Sequence, residues 1–191
     1  DAISGDGAGD FTFDTADRLT TLADGRTLTY DTAGQPATLT DPTAATTTTY
    51  GYDDRGNRTT TTVDDGTTTT TTQAAFNAAN QLTELTDPTG TTRYTYDAAG
   101  LRATATTDDG TGPVTETYTW DTIAAVPVLL ADATHAYIYG TSSTPLAQVD
   151  LTDQTTQYLH GDLIGSVRSV TDSAGDVVCD ADYDTYGQPA A

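Results

Sequence analysis

The sequence predicts an all-β fold built as an antiparallel sheet of repeated β-hairpins. Threonine is the commonest of the 191 residues, there are eleven tyrosines and there is no methionine. Threonine and tyrosine suit a half-buried pleated surface, whereas glycine and aspartate supply turns. An aromatic residue followed by Asp recurs at regular intervals, and no stretch keeps the i, i+3, i+4, i+7 apolar spacing of a helix.

The repeat unit ends in an aromatic residue followed by Asp or Asn, and its period is about twenty residues. Clear copies end at Asp14, Asp31, Asp53, Asn77, Asp97 and Asp121, and weaker copies end at Gly140, Gly161 and Asp184. Twenty residues is too short for a βαβ unit, which needs about thirty. We therefore expect each unit to contain two strands and two turns.

The clearest unit, residues 91–107, shows the expected mechanics. Alternation places Tyr94 and Tyr96 on one face of a strand and Thr95 on the other. The following turn begins at Asp97, whose carboxylate can bond the backbone ahead, and ends at Gly100, which tolerates positive φ. The segments 41–43, 87–90 and 108–110 carry Asp-Pro or Asp-Asp-Gly and predict the reversals at the other end of the strands.

Charge limits the partners of this chain. The formal net charge is −21, and all seven basic residues are arginines. Such a surface repels phosphate backbones and anionic lipids, so nucleic acid is not an expected partner. Because no apolar run of about 20 residues is present, membrane insertion is not expected either. An extracellular or secreted location, or a halophilic setting, suits the acidic surface, and the composition of a GC-rich genome is the alternative explanation.

The pattern YxYDxxGxxxxxTDxxG resembles the YD repeat of RHS proteins and teneurins, and it covers nearly the whole chain. Its motif residues in the clearest unit are Tyr94, Tyr96, Asp97 and Gly100. The segment 158–187 is similar to the RHS repeat-associated core motif, with Ile164 at a position that is usually Leu. The matching positions of that motif are Tyr158, His160, Asp162, Gly165, Ser166, Arg168, Thr171, Asp172, Gly175, Val177, Tyr183, Asp184, Tyr186 and Gly187.

The resemblance implies YD repeats over residues 1–120, divergent repeats with an insert over 121–157, the core motif over 158–187 and a tail over 188–191. In that family the repeats form one sheet that spirals into a hollow shell, which in polymorphic toxin systems encloses a C-terminal toxin. The self-cleavage region is expected beyond Gly187. We therefore expect a spiralling open arc or tube without enzymatic activity, a mature product or a piece of a longer chain, completed by flanking repeats or further copies.

Three residues near the C-terminus, His160, Asp162 and Ser166, are the residue types of a hydrolase triad. Triad residues normally come from separate elements and need a strained nucleophile turn with an oxyanion hole, and no GxSxG is present. We expect Asp162 and Ser166 to bond turn backbone, Gly165 to supply an unusual φ, and His160 to pack where other repeats have an aromatic. A pH-sensitive contact at His160 is the alternative.

No cofactor or metal site is expected. The acidic turns at 53–57, 62–66 and 106–110 lack the spacing of calcium-binding loops, so solvated carboxylates are expected there. The single cysteine, Cys179, is expected to be a buried or idle thiol. The tyrosines are expected to form a packing ladder, with hydroxyl partners in the threonine and aspartate rows, instead of a sugar-binding platform. Six arginines are expected to pair with adjacent repeats: Arg18, Arg55, Arg58, Arg93, Arg102 and Arg168.

Three functions remain open on the sequence. The first is a wall segment of an RHS-type shell that encloses or presents cargo such as a toxin. The second is a subunit of a self-assembling extracellular filament or tube, in which the edge strands of successive copies pair. The third is an adhesive module that binds a protein or glycan, for which the insert at 122–136 is the expected contact region.

Overall fold

A computed structural model describes residues 11–123 and 126–183, and every regular element in those ranges is a β-strand. The strands are β1 Thr12–Phe13, β2 Leu19–Thr21, β3 Thr27–Tyr30, β4 Pro36–Asp41, β5 Thr46–Tyr52, β6 Arg58–Asp64, β7 Thr69–Phe76, β8 Leu82–Asp87, β9 Gly90–Tyr96, β10 Arg102–Asp108, β11 Val114–Thr117, β12 Thr119–Asp121, β13 Val128–Ala131, β14 His135–Tyr139, β15 Pro145–Asp150, β16 Thr156–Gly161, β17 Val167–Thr171 and β18 Val177–Asp180.

The strands form two open sheets in which sequence neighbours are also neighbours in space. One sheet has the order β1 to β11 and the other the order β12 to β18. Strands pair antiparallel with the next strand along the chain. The predicted all-β antiparallel hairpin sheet is therefore confirmed. Among the described residues no helix is long and apolar enough to cross a membrane.

Seven hairpins in the described part share one five-residue turn that begins at Asp or Asn. In the turn that starts at Asp31, the Asp31 N–H donates to the Gln35 carbonyl (2.9 Å) and the Gly34 N–H donates to the Asp31 carbonyl (3.1 Å). Gly34 adopts a φ of 84°, a conformation that glycine reaches without a steric penalty. The turns with this backbone pattern begin at Asp14, Asp31, Asp53, Asn77, Asp97, Asp162 and Asp172.

A β-bulge follows six of these turns and fixes which face each residue occupies. In the β3–β4 hairpin Thr29 pairs with Thr38 and Tyr30 pairs with Pro36, so Ala37 is the extra residue. The same register shift recurs in β1–β2, β5–β6, β7–β8, β14–β15, β16–β17 and β17–β18. A bulge strengthens the local twist of a strand pair, and its recurrence makes the hairpins structural copies of one another.

Burial is shallow throughout the described residues. Only two hydrophobic side chains are buried, Ala105 and Ala147, and no large side chain is fully buried. Most strand residues are half-buried, because the neighbours that cover a side chain are mainly those on the adjacent strands of its own sheet. The stability of this fold therefore rests on many partial contacts and on hydrogen bonds.

Contacts divide the chain into two compact units. One consists of the described residues of Asp1–Tyr94 with Thr106–Val114, and the other of those of Thr95–Ala105 with Thr115–Ala191. The first unit is rich in threonine pairs across strands, such as Thr29 Oγ1 with Thr38 Oγ1 (2.7 Å). The second unit contains the predicted insert, within which β13 forms, and the core motif up to Tyr183.

Candidate functional site

The Asp residues of the repeats hold the turns together. In the turn at Asp31, carboxylate atom Oδ1 accepts hydrogen bonds from the N–H groups of Ala33 (2.8 Å) and Gln35 (2.8 Å). The same two bonds, to the second and fourth residues ahead, recur at the other six turns of this kind: Asp14, Asp53, Asn77, Asp97, Asp162 and Asp172. The Oδ1 atom of each of these side chains is therefore hydrogen-bonded to backbone N–H groups of its own turn.

Hydrogen bonding keeps several of these carboxylates ionised. The backbone N–H of Arg18 lowers the pKa of Asp14, although partial burial opposes the change. At Asp53 the Asn57 amide side chain lowers the pKa most, again against partial burial. Both groups are exposed to water, so the shifts report local turn geometry and do not indicate an acid or base prepared for catalysis.

The aromatic residues that precede the turns form what we call the ladder: Phe13, Tyr30, Tyr52, Phe76, Tyr96, Trp120 and Tyr139. Tyr30 donates its hydroxyl to the Leu19 carbonyl (2.7 Å) and Tyr52 donates to the Pro36 carbonyl (2.9 Å). In each case the acceptor lies five residues after the Asp that opens the preceding turn. Each hydroxyl therefore ties one hairpin to the hairpin before it.

The same bond recurs later in the ladder with different chemistry. Trp120 Nε1 donates to the Arg102 carbonyl (2.8 Å), and Tyr139 donates to the Leu129 carbonyl (2.8 Å). Partial burial raises the pKa of the Tyr52 and Tyr139 hydroxyls. The expectation that threonine and aspartate rows would supply the partners is wrong for these residues, because the bulge brings a main-chain carbonyl within reach instead.

Arginines pack against the ladder and the turns. Arg18 bonds Asp14 of its own turn (2.8 Å) and lies over the Tyr30 ring of the next repeat at 4.6 Å. Arg58 lies over the Tyr50 ring at 5.1 Å. Arg55 reaches the next repeat, where Nη1 donates to the Ala78 carbonyl (2.8 Å). These arginines therefore contact neighbouring strands and repeats through tyrosine rings and main-chain carbonyls.

Two charged pairs involving the predicted arginines differ from that pattern. Arg168 donates to Asp162 within its own hairpin (2.9 Å), and Arg93 bonds Glu84 across neighbouring strands (2.9 Å). Arg168 also lies over the Tyr183 ring at 5.3 Å. Arg168 Nη1 also lies 3.7 Å from Asp182 Oδ1, so Arg168 does contact the next repeat, whereas the partner of Arg93 lies within the same repeat.

The core-motif residues form two of the shared turns. Asp162 Oδ1 accepts from the N–H groups of Ile164 (3.0 Å) and Ser166 (3.0 Å). Partial burial opposes ionisation of Asp162, but the bond from Arg168 and the turn N–H groups outweigh it and lower its pKa. Gly165 and Gly175 both have a φ of 90°, and Asp172 holds the second turn. The residues Asp184, Tyr186 and Gly187 lie outside the described residues.

The sequence pattern places His160 at the aromatic position of its repeat, and the structure shows that this position belongs to the next residue, Gly161. Gly161 pairs with Val167 across the bulge, as Tyr30 pairs with Pro36, so Gly161 occupies the ladder position. His160 lies one residue earlier, on the opposite face, where it is exposed and its Nε2 lies 2.9 Å from Thr171 Oγ1. It does not pack where other repeats have an aromatic, and its ring contacts Thr171 while Asp162 binds the turn and Arg168.

A polar cluster around Asp132 was not predicted. The Tyr137 hydroxyl donates to Asp132 Oδ2 (2.7 Å), and the N–H groups of Thr134 and His135 donate to Oδ1 (both 2.8 Å). Burial opposes ionisation of Asp132, but these bonds lower its pKa to about 2, whereas burial and the bond to Asp132 raise the pKa of Tyr137 to about 12. The five-residue spacing of Asp132 and Tyr137 is the only sequence signal.

Neither the thiol nor the acidic turns assemble into a centre in the described ranges. Cys179 is exposed in β18, with Sγ 3.7 Å from the Asp180 carbonyl, so of the two expected alternatives, a buried or an idle thiol, the buried one is wrong. Within residues 11–123 and 126–183 no group of three or more His, Cys, Asp or Glu side chains could hold a metal ion. The turn carboxylates point into their own backbone.

Two solved structures contain chains that are similar to this one. The TcdB2-TccC3-Cdc42 complex matches at 15% identity with a TM-score of 0.42, covering 95% of this chain. The Photorhabdus luminescens Tc holotoxin pore with a mutated TccC3 matches at 12% identity with a TM-score of 0.29, covering 96% of this chain. This chain spans 13% and 16% of the lengths of those chains. No curated protein matches the sequence.

The family comparison agrees with the hairpin geometry. The RHS Repeat family model matches residues 30–68 and 76–112. Those segments contain four of the turns and four of the ladder positions described above, and each begins at a ladder residue, Tyr30 or Phe76. The repeated aromatic-Asp hairpin and the family match together show that residues 30–68 and 76–112 of this chain are RHS repeats.

Proposed function

We propose that this chain is a non-catalytic wall segment of an RHS-type shell that encloses or presents a polypeptide cargo. The observation that carries the proposal is the hairpin-to-hairpin ladder bond, because at Tyr30, Tyr52, Trp120 and Tyr139 a ladder side chain donates to a main-chain carbonyl of the preceding hairpin. A sheet built this way grows by adding hairpins, as repeat proteins do. A long, curved wall is the natural product of such growth, since sheets twist with a fixed hand.

The outer strands support a role within a larger sheet. β1 is the first strand of one sheet, and its Phe13 is 59% exposed. β18 is the last strand of the other sheet, and its Val177 is 58% exposed. Outer strands present unpaired backbone groups that accept another strand. We infer that further hairpins, from flanking repeats or from further copies, cover these strands.

The candidate catalytic residues support a structural role. Asp162 binds its own turn and Arg168, and His160 contacts Thr171. The arrangement gives no nucleophile bonded to a base, which acyl transfer requires. We therefore assign these residues to the stability of the wall.

The second candidate is an extracellular filament or tube, which the two exposed outer strands favour. Pairing of β18 of one copy with β1 of the next gives a head-to-tail contact that does not close, and such contacts produce fibres. The acidic surface works against this at low salt, because the charge of −21 on each copy is repelled by its neighbour. Secretion fits both candidates.

Negative-stain microscopy separates them. The purified chain and the complete product of its gene are imaged at low salt and at about 1 M NaCl, where repulsion is screened beyond about 3 Å. A shell predicts discrete particles for the chain and closed hollow particles, with a protease-resistant interior polypeptide, for the complete product. Periodic fibres from either sample would reject the shell and establish the filament.

A further inference from the structure

The sheet face opposite the ladder, which we call the back face, differs between the two units. In the first unit it carries a row of threonines that pair directly across five strands. The pairing of these strands aligns Thr29, Thr38, Thr49, Thr62 and Thr71. Hydroxyl groups bond along this row, with Thr29 and Thr38 at 2.7 Å and Thr62 and Thr71 at 3.2 Å. The back face of this unit is therefore polar.

In the second unit the corresponding row is apolar. Ile138 precedes the ladder residue Tyr139 as Thr29 precedes Tyr30, and both hairpins have the same bulge. Ile138 pairs with Ala147, and Ala147 pairs with Tyr158. The Ile138 and Tyr158 side chains are 50% and 46% exposed, whereas Ala147 between them is 4% exposed. The two large side chains thus flank and shelter the small one.

The row continues to the edge of the sheet. Tyr158 pairs with Thr171, and Thr171 pairs with Val177 across the next bulge. Beside it lies a second short row on the same face, in which Ala136 pairs with Val149 and Val149 with Thr156. We call the set Ile138, Ala147, Tyr158 and Val177 the apolar row. Four strand spacings of about 4.8 Å give it a length of roughly 19 Å, about six residues of an extended peptide.

Charge is scarce on this face, and the ends and turns of strands β15 to β18 are acidic, with Asp150, Asp153, Asp162, Asp172 and Asp176. Among the described residues of β14 to β18, the register places two ionisable side chains on the back face, His160 and Asp180. The chain as a whole carries a net charge of −21. A neutral apolar strip within an acidic surface binds a partner whose apolar side chains fill the strip and whose basic side chains meet the surrounding carboxylates.

We propose that the apolar row is a docking surface for a polypeptide segment that combines apolar and basic side chains. A second copy of this chain is disfavoured as the occupant, because it brings a further charge of −21. The inference rests on the proposed shell function and narrows it, since it gives the cargo a chemical class. Contact with the shell wall would then occur at the second unit, and the threonine face of the first unit would not take part.

The test uses the complete 191-residue chain and a fluorescein-labelled peptide of about twelve residues made of leucine and lysine, sized to cover the row. A peptide with glutamate in place of every lysine is the charge control. Fluorescence anisotropy in about 0.15 M salt measures binding, so that long-range attraction is screened beyond about 8 Å. We expect the leucine-lysine peptide to bind and the leucine-glutamate peptide to show no saturable binding.

Matched variants locate the site. The row variant combines Ile138→Thr, Tyr158→Thr and Val177→Thr, which copies the threonine chemistry of the first unit on strand-compatible residues. The control variant combines Ile123→Thr, Leu163→Thr and Ile164→Thr, three exposed apolar residues outside the row. We expect the row variant to weaken peptide binding roughly tenfold or more, as the loss of several apolar contacts implies, and the control variant to change it by less than about twofold.

A gain-of-binding variant keeps the proposal testable even if the row variant does not fold. Thr38→Val with Thr49→Val places apolar side chains in the threonine row of the first unit and is expected to increase the bound fraction. Equal weakening by the row and control variants would overturn the proposal, as would binding of the glutamate peptide. Self-association of the wild-type chain that disappears in the row variant would identify a second copy as the occupant, which also overturns it.

The outcomes of the two experiments are separable. Closed particles in microscopy with no peptide binding would remove this inference and leave the shell function. Fibres in microscopy with row-dependent peptide binding would remove the shell function and keep the docking surface.

Discussion

The bond from Tyr137 to Asp132 provides a test of how local electrostatics stabilise the second unit. Tyr137→Phe removes only the hydroxyl that donates to Asp132 Oδ2 at 2.7 Å. A hydrogen bond to a charged group contributes roughly 1.5 to 3 kcal/mol when it is well buried. Both residues are partly solvent-exposed, so screening reduces the expected loss in free energy of unfolding to about 1 kcal/mol.

The pH dependence follows from the two pKa shifts. The pKa of Asp132 is lowered to about 2, so its stabilising contribution is present above the ordinary value of 3.8 and is lost as pH falls from there towards 2. The pKa of Tyr137 is raised to about 12, so its contribution is complete below pH 10 and is lost as pH rises towards 12. The difference between wild type and Tyr137→Phe should be constant in the neutral range and shrink at both extremes.

Tyr139→Phe is the matched control, because its hydroxyl donates to the uncharged Leu129 carbonyl at 2.8 Å. Its loss should also be about 1 kcal/mol, but it should not vary between about pH 2 and pH 8, since no carboxylate is involved. Urea unfolding followed by the fluorescence of Trp120, the single tryptophan, measures both variants. A loss in Tyr137→Phe that stays constant down to pH 2 would refute the assignment of the bond to an ionised Asp132.

Three further predictions concern the turns and the surface charge. Asp97→Ala should speed amide hydrogen exchange at Ala99 and Leu101 roughly tenfold, whereas Asp97→Asn should leave it near wild type because the amide oxygen still accepts; equal exchange in both variants would contradict the turn-forming role. Gly100→Ala should lower the free energy of unfolding by about 1 to 2 kcal/mol, because φ is 83°, whereas Asp17→Gly at φ 58° should not destabilise; a neutral Gly100→Ala would show that the turn relaxes. The urea midpoint should rise between about 0.1 and about 1 M NaCl at pH 7, and rise less at about pH 4, where carboxylates begin to be neutralised; a rise of the same size at both pH values would exclude self-repulsion as its cause.

The turns could be predicted from the sequence because their bonds are local. Asp97 bonds N–H groups two and four residues ahead, and Gly100 lies three residues ahead, so the whole device fits within five consecutive letters. Even Asn77, which replaces Asp in one copy, makes the same two bonds. Local chemistry of this kind does not depend on the rest of the fold.

The ladder partners and the place of His160 could not be predicted, because both depend on strand register. The bulge leaves Ala37 unpaired and thereby brings the Pro36 carbonyl to the Tyr52 hydroxyl. The pairing of Gly161 with Val167 moves His160 to the opposite face. A shift of one residue exchanges the two faces of a strand, and the spacing of aromatic-Asp pairs does not reveal such a shift.

By itself, the sequence determined the all-β class, the period of about twenty residues and the position of each Asp turn, because residue propensities and hydrogen bonds within five residues decide these features. The tertiary structure alone decided which side chains share a face across strands. Ala147 lies nine residues after Ile138 and eleven residues before Tyr158, and only antiparallel pairing makes the three neighbours. Cross-strand contacts join residues from different strands, so their identity is fixed by register and not by local sequence.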